Sequence, residues 1–112
     1  MKKNNESCII LPIETARERF RGQAMDQAQR LSRSVARRTS DDAQPCLEYR
    51  EEIQSERAAI DGLLYAQHCR DGLERCIASG SASLRYRGQD GTLRTVRFRR
   101  ISLCRVKIWG LA

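Results

Sequence analysis

Two sets of side chains in this 112-residue chain have types that do chemistry, and their spacing decides which chemistry is open to them. The first set is thiol and imidazole. His68 is the only histidine, Cys69 follows it and Cys76 lies seven residues on, with Cys8, Cys46 and Cys104 elsewhere. A structural zinc site normally draws on two compact ligand pairs, and none of the five cysteines belongs to a C-x-x-C. No metal site is expected. A cysteine nucleophile with His68 as base fails on direction, because adjacent residues of a helix project about 100° apart. The odd count also argues against a secreted disulfide framework, so reduced thiols used as small core residues are expected. There is no G-x-S-x-G, no glycine loop to cradle a phosphate and no convergent carboxylate pair. The chain reads as non-enzymatic, with no catalytic residue and no cofactor.

The second set is guanidinium. The stretch LRYRGQDGTLRTVRFRR, residues 84–100, carries Arg85, Arg87, Arg94, Arg97, Arg99 and Arg100, and Arg105 follows shortly after. Eighteen of the 21 basic residues are arginine, whose planar fork of donors suits phosphates and carboxylates better than the point charge of lysine. The net charge of +7 is unevenly spread: residues 1–40 hold 9 basic and 4 acidic side chains, residues 41–79 hold 4 and 9, and residues 80–112 hold 8 and 1. Two partners fit. One is nucleic acid, held through its phosphates. The other is an acidic protein surface, including the middle segment of a neighbouring copy in a C2 homodimer.

These residues need elements to hold them. Residues 1–7 read as a tail, and CIILPI, residues 8–13, as a short strand ended by Pro12, which must then lie at a sheet edge. Thr15 and Glu18 have capping-box spacing, and Ala16, Phe20, Ala24, Ala28, Leu31 and Val35 share one face of a helix over about residues 16–38. Its Arg19, Arg30, Arg33 and Arg37 point elsewhere and read as a solvated face. TSDDAQP, residues 39–45, is a connector, with Pro45 suited to the first turn of a second helix. In that helix Tyr49, Ile53, Ile60, Leu63 and Leu64 lie together, whereas Ala66, Leu73, Cys76 and Ile77 project about a third of a turn away. The spacing predicts a break near residues 68–72 and a short helix from Gly72 to Ser79, stopped by Gly80. The two long helices would form an N-terminal helical hairpin or a dimer contact.

Beyond Gly80 the period falls to two. Ala82, Leu84 and Tyr86 point one way and Ser83, Arg85 and Arg87 the other; Asp90-Gly91 signals a hairpin turn, and Val96 and Phe98 continue the apolar side. Arg94 falls on that same side. Arg99-Arg100 ahead of Ile101 and Leu103 shifts the phase, which predicts a bulge or bend, and Val106 and Ile108 predict a third strand after a bend at Cys104 to Arg105. Short, bent strands predict a small, strongly curled antiparallel sheet of the SH3 or Sm-like kind in an α+β fold.

Size and composition set the frame. A chain of this length buries roughly 65% of its unfolded surface, enough for one core, so a single domain over residues 1–112 is expected: tail and edge strand to residue 13, a helical part over 14–79, and a basic β part over 80–112. CIILPI is too short for a signal-peptide core or a membrane span, so a cytoplasmic protein with no membrane partner is expected.

The C-terminal arrangement of Leu73, Ile77, Gly80, Leu84, Tyr86, Asp90, Gly91, Arg94, Val96, Ile101, Trp109 and Leu111 resembles the first half of a WYL domain, over residues 73–112. Phe98 stands where that family usually has proline, and Gly110 where it has the tyrosine of its naming motif. The resemblance implies an Sm-like core and a regulatory role, in a family some of whose members bind nucleic acid or nucleotides. The expected function is a small basic regulator whose Arg85, Arg87, Arg97, Arg99 and Arg105 hold phosphates. Tyr86 and Trp109 are the candidates for base stacking, though Tyr86 is expected first in the core. The alternative is a protein-interaction module, an inhibitor or adaptor of the sort mobile elements encode.

Overall fold

The computed structural model describes the backbone of residues 7–39 and 46–111, and the side chains of residues 7–37 and 53–111. Residues 1–6 of the expected tail, residues 40–45 of the connector with Pro45, and the side chains of Cys46 and Tyr49 lie outside the described residues. The fold is α+β, in the order β1 (Cys8–Pro12), α1 (Ile13–Thr39), α2 (Cys46–Ser79), β2 (Ser81–Arg87), β3 (Leu93–Arg100) and β4 (Arg105–Trp109). The four strands form one open antiparallel sheet in the order β1-β4-β3-β2. Both helices pack on the same face of it.

β1 is an edge strand, where Pro12 removes no N–H that a central ladder would need. α1 starts at Ile13, two residues ahead of the predicted Thr15 cap. The reason is non-local: the Ile13 N–H, a donor with no partner inside the helix, donates to Cys104 O (2.8 Å) in the β3–β4 connection. Thr15 is therefore inside the first turn. Ala16 and Phe20 of the expected face are buried, and Ala24, Leu31 and Val35 partly so, but Ala28 is exposed and Ser34 takes a buried place.

α2 is one continuous helix, so the predicted break at residues 68–72 and the separate short helix do not form. A single straight helix cannot bury two apolar stripes against one neighbour, but α2 has two neighbours. At about 100° per residue, Asp61, Tyr65, His68, Gly72 and Cys76 fall on one stripe and Ala59, Gly62, Ala66, Leu73 and Ile77 on another, about a third of a turn round. The first meets the sheet: Tyr65 and His68 lie against the Tyr86 ring, with centroids 5.5 and 5.4 Å apart, and Gly72 faces Phe98. The second meets α1, where the missing side chain of Gly62 makes room for Gln27. Ile60 and Leu64, expected in the core, are exposed instead.

The helices run antiparallel. Near one end Arg17 of α1 forks onto Glu74 of α2, Nε to Oε2 at 2.8 Å and Nη2 to Oε1 at 3.1 Å, and its Nη1 reaches Glu14 Oε2 (2.7 Å). The guanidinium holds the Glu74 carboxyl below the usual carboxylate range.

The β2–β3 hairpin forms as its alternation predicts. Gly91 has φ +86°, its N–H donates to Gly88 O (3.0 Å), and Asp90 Oδ1 accepts the Thr92 N–H (2.9 Å). Leu84, Tyr86, Val96, Phe98, Val106 and Ile108 are the buried face of the sheet. The predicted bulge at Arg99-Arg100 is absent: the register to β4 runs without a gap through both residues, and on the other side Arg99 pairs with Ser81 while the Arg100 N–H donates to Gly80 O. The apparent phase shift came from Ile101 and Leu103, which lie in the exposed β3–β4 connection and not in a strand. For the same reason the sheet is not strongly curled and does not close in the SH3 or Sm-like manner. Its apolar face is covered by two helices, which removes the need for the sheet to fold onto itself.

The centre of the core is the Phe98 ring, edge-on to Phe20 with centroids 6.4 Å apart and seated on Gly72. A Cβ at Gly72 would stand 2.7 Å from Cε1 of this buried ring. Gly72→Val is expected to lower stability by about 1–3 kcal/mol through overpacking, read as a reduced urea midpoint with an unchanged m-value.

Candidate nucleic-acid interface

Cross-strand partners share a face of a sheet, so the register states which side chains come together on the side away from the helices. One row is Cys8, Trp109, Arg97 and Ser83, and the next is Ile10, Lys107, Arg99 and Ser81. Arg105 lies beside Pro12, Arg85 beside Thr95, and Arg87 beside Leu93. All six residues expected at the site, Arg85, Arg87, Arg97, Arg99, Arg105 and Trp109, thus stand on one face. The five arginines are exposed and Trp109 is half-buried. No aspartate or glutamate occupies this face at any paired position of the four strands.

Sequence reasoning missed Lys107, although the alternation of Val106 and Ile108 placed it with Arg105 and Trp109. Its Nζ lies 5.0 Å from the Trp109 ring centroid, and the Arg97 guanidinium carbon lies 5.3 Å from it. The indole is therefore bordered by two cations. Lys107 also pairs directly with Arg99 across the β3–β4 ladder. Like charges placed opposite one another destabilise a sheet by several tenths of a kcal/mol, roughly 0.2–1, and an anion laid across the pair removes that cost.

The other arginines of the basic segment serve the fold. Arg94 stays on the helix side, its guanidinium carbon 5.0 Å over the Tyr65 ring. Arg100 Nη1 donates to Ile77 O (2.6 Å) at the end of α2, which has no basic residue in its own last turn. It supplies the cation that a helix C-terminus favours. On α1, Arg19, Arg30, Arg33 and Arg37 are exposed, and Arg30 lies 3.5 Å from Asp26. They are not part of the sheet surface.

Tyr86 is a core residue and not a stacking platform. Its ring is buried, and its hydroxyl donates to Asp61 Oδ1 (2.5 Å). Burial, then the Asp61 carboxylate, pushes the phenol up to about 12. Burial pushes the Cys69 thiol up to about 11 and raises Cys76 as well, so neither of these two buried thiols is held as a thiolate at neutral pH. Among the described residues no group of three or more His, Cys, Asp or Glu is placed to hold a metal ion, and no helix is long and apolar enough to cross a membrane.

Gly110 has φ +86°, and a Cβ there would collide with the carbonyl oxygen of Thr95, so no larger residue fits at this position without a backbone shift. Comparisons with protein-family models, with curated proteins and with solved structures find no match to this chain.

The Tyr86 phenol ionises near 10 in the unfolded chain and at about 12 in the fold. A raised folded value contributes stability that is complete below pH 10 and is lost as pH climbs towards 12. Tyr86→Phe is expected to cost about 1 kcal/mol at pH 7 and to make the loss of stability across this alkaline window shallower. Urea unfolding over a pH series measures both.

Proposed function

We propose that this protein is a small, non-enzymatic regulatory protein that binds nucleic acid through the outer face of its sheet. The observation that carries the reading is the Arg99–Lys107 cross-strand pair, set beside Arg97 and Trp109 on a face whose paired strand positions hold no carboxylate. Arg99 and Lys107 set like charges opposite one another there. Phosphates laid along Arg85, Arg87, Arg97, Arg99, Arg105 and Lys107 would relieve that repulsion, and Trp109 offers a half-exposed indole on which a base can stack. The resemblance of residues 73–112 to the first half of a WYL domain supports the regulatory part of the proposal.

One observation favours a second reading. Tryptophan and arginine are the side chains most often found at the energetic centre of protein interfaces, and Trp109 and Arg97 lie together. An acidic protein surface would then replace the phosphates, either on a distinct partner or on the acidic α2 of another copy in a homodimer.

Binding of a labelled single-stranded oligonucleotide, followed by anisotropy over a salt series, separates the two. Neutralising six phosphates gives a slope of log K against log[salt] of about −4 for a single strand. The double variant Arg97→Glu/Arg99→Glu should weaken binding by at least about a hundredfold, two charge-assisted phosphate contacts being worth about 1.5 kcal/mol each. Arg19→Glu/Arg33→Glu on α1 should leave it nearly unchanged. Trp109 is the only tryptophan, so quenching of the protein's indole fluorescence on binding reports stacking directly. Affinity that does not fall with salt would sink the nucleic-acid reading, and a dimer abolished by the sheet variant would favour the second.

A further inference from the structure

β2 is the outermost strand on its side of the sheet, paired with β3 alone among the described residues. The ladder shows which backbone groups face the open side. Arg100 N–H donates to Gly80 O (2.8 Å) and Gly88 N–H donates to Thr92 O (2.9 Å), so both ends of the β2–β3 register are hydrogen-bonded pairs. Antiparallel ladders alternate bonded and non-bonded pairs. The even residues Ala82, Leu84 and Tyr86 therefore bond to β3, and the N–H and C=O of Ser83, Arg85 and Arg87 turn outward. Ser81 O is already taken by the Ser79 hydroxyl (3.0 Å). Neither proline nor a register gap blunts this edge.

Beside it, between α2 and the end of β2, lies an open groove of about 350 Å³. Ile60 and Leu64, 44% and 43% exposed, give it an apolar wall, and Arg57 and Arg87 give it cations. Arg87 is held in place, its Nη1 donating to Gly91 O (2.8 Å). The one carboxylate of the lining, Asp61, accepts the Tyr86 hydroxyl.

We propose that the free edge of β2 and this groove form a docking site for an extended segment of a partner protein in which acidic and apolar residues alternate. Added as a fifth strand, such a segment bonds to the outward groups of Ser83, Arg85 and Arg87. Its residues opposite Arg85 and Arg87 share their face and meet guanidinium groups, which selects carboxylates. The residues between them point to the α2 side and rest on Ile60 and Leu64, which selects apolar side chains. Charge disfavours a second copy here, because pairing β2 with β2 would crowd Arg85 and Arg87 of both chains onto one face. The site shares Arg85 and Arg87 with the outer face proposed for nucleic acid, but its backbone edge and its groove lie away from Trp109, and it stands whether or not that face binds nucleic acid.

The probe is a capped peptide alternating glutamate with valine, compared by NMR titration with a peptide of the same composition in two blocks. The alternating peptide should bind, and the amides of Ser83, Arg85 and Arg87 should gain protection from hydrogen exchange. Ser83→Pro removes one outward donor and leaves the β3 ladder intact; it should weaken binding about tenfold, the worth of one such bond. Leu64→Glu, at an exposed position that leaves the fold alone, should weaken it by at least as much and carries the test if the proline variant does not fold. Three results would overturn the proposal: equal binding of the block peptide, which would reduce the effect to charge; binding without protection at β2; or a peptide-free dimer that Ser83→Pro dissociates, which would make the occupant a second copy.

Discussion

The seat of Phe98 on Gly72 is the contact on which the rest of the architecture depends. A helix with any larger residue at position 72 could not approach β3 so closely, and the Phe98 ring would lose its edge-on contact with Phe20. That contact ties the sheet to both helices at one point. It also sets the phase of β3. With Phe98 and Val96 turned inward, Arg97 and Arg99 must turn outward, and the register carries the same division to Lys107 and Trp109. A slip of one residue would exchange the two faces completely.

Magnitudes explain why the outer face keeps its crowded charge. Each large apolar side chain fully buried on the inner face contributes about 1.5–3 kcal/mol, and Val96, Phe98, Val106 and Ile108 are all buried. A like-charge cross-strand pair costs about 0.2–1 kcal/mol, too little to disturb that core. The fold can therefore carry Arg99 opposite Lys107 without loss of its inner face. The same segment spends two arginines inward, Arg94 on an aromatic ring and Arg100 on a helix end. What looks in the sequence like one basic run is three environments.

Local patterns were readable and long-range ones were not. The hairpin followed from alternation and Asp90-Gly91, the edge position of β1 from Pro12, and the shared face of Arg85, Arg87, Arg97, Arg99 and Arg105 from a period of two. The start of α1 depends on Cys104, ninety-one positions away from Ile13, and no spacing within residues 13–18 carries that information. The break expected in α2 followed from counting one neighbour where there are two. Ile101 and Leu103 look like core residues by composition, yet they sit in an exposed connection, and reading them as strand produced both the bulge and the curl. Lys107 was within reach of the alternation; the role of Arg100 was not, because it rests on a carbonyl 23 residues earlier.

Arg100 acts twice at the turn from helix to strand. Its side chain takes Ile77 O and its main-chain N–H takes Gly80 O, so both sides of the Gly80 turn are held by one residue of a later strand. In terms of folding order, this makes the helix end a non-local structure. Local bonds can wind α2 before any strand exists, but the carbonyls of Ile77 and Gly80 meet Arg100 only when β3 has docked, after the loop-closure entropy of the hairpin has been met. The junction between the two halves of the chain is thus formed from its far side.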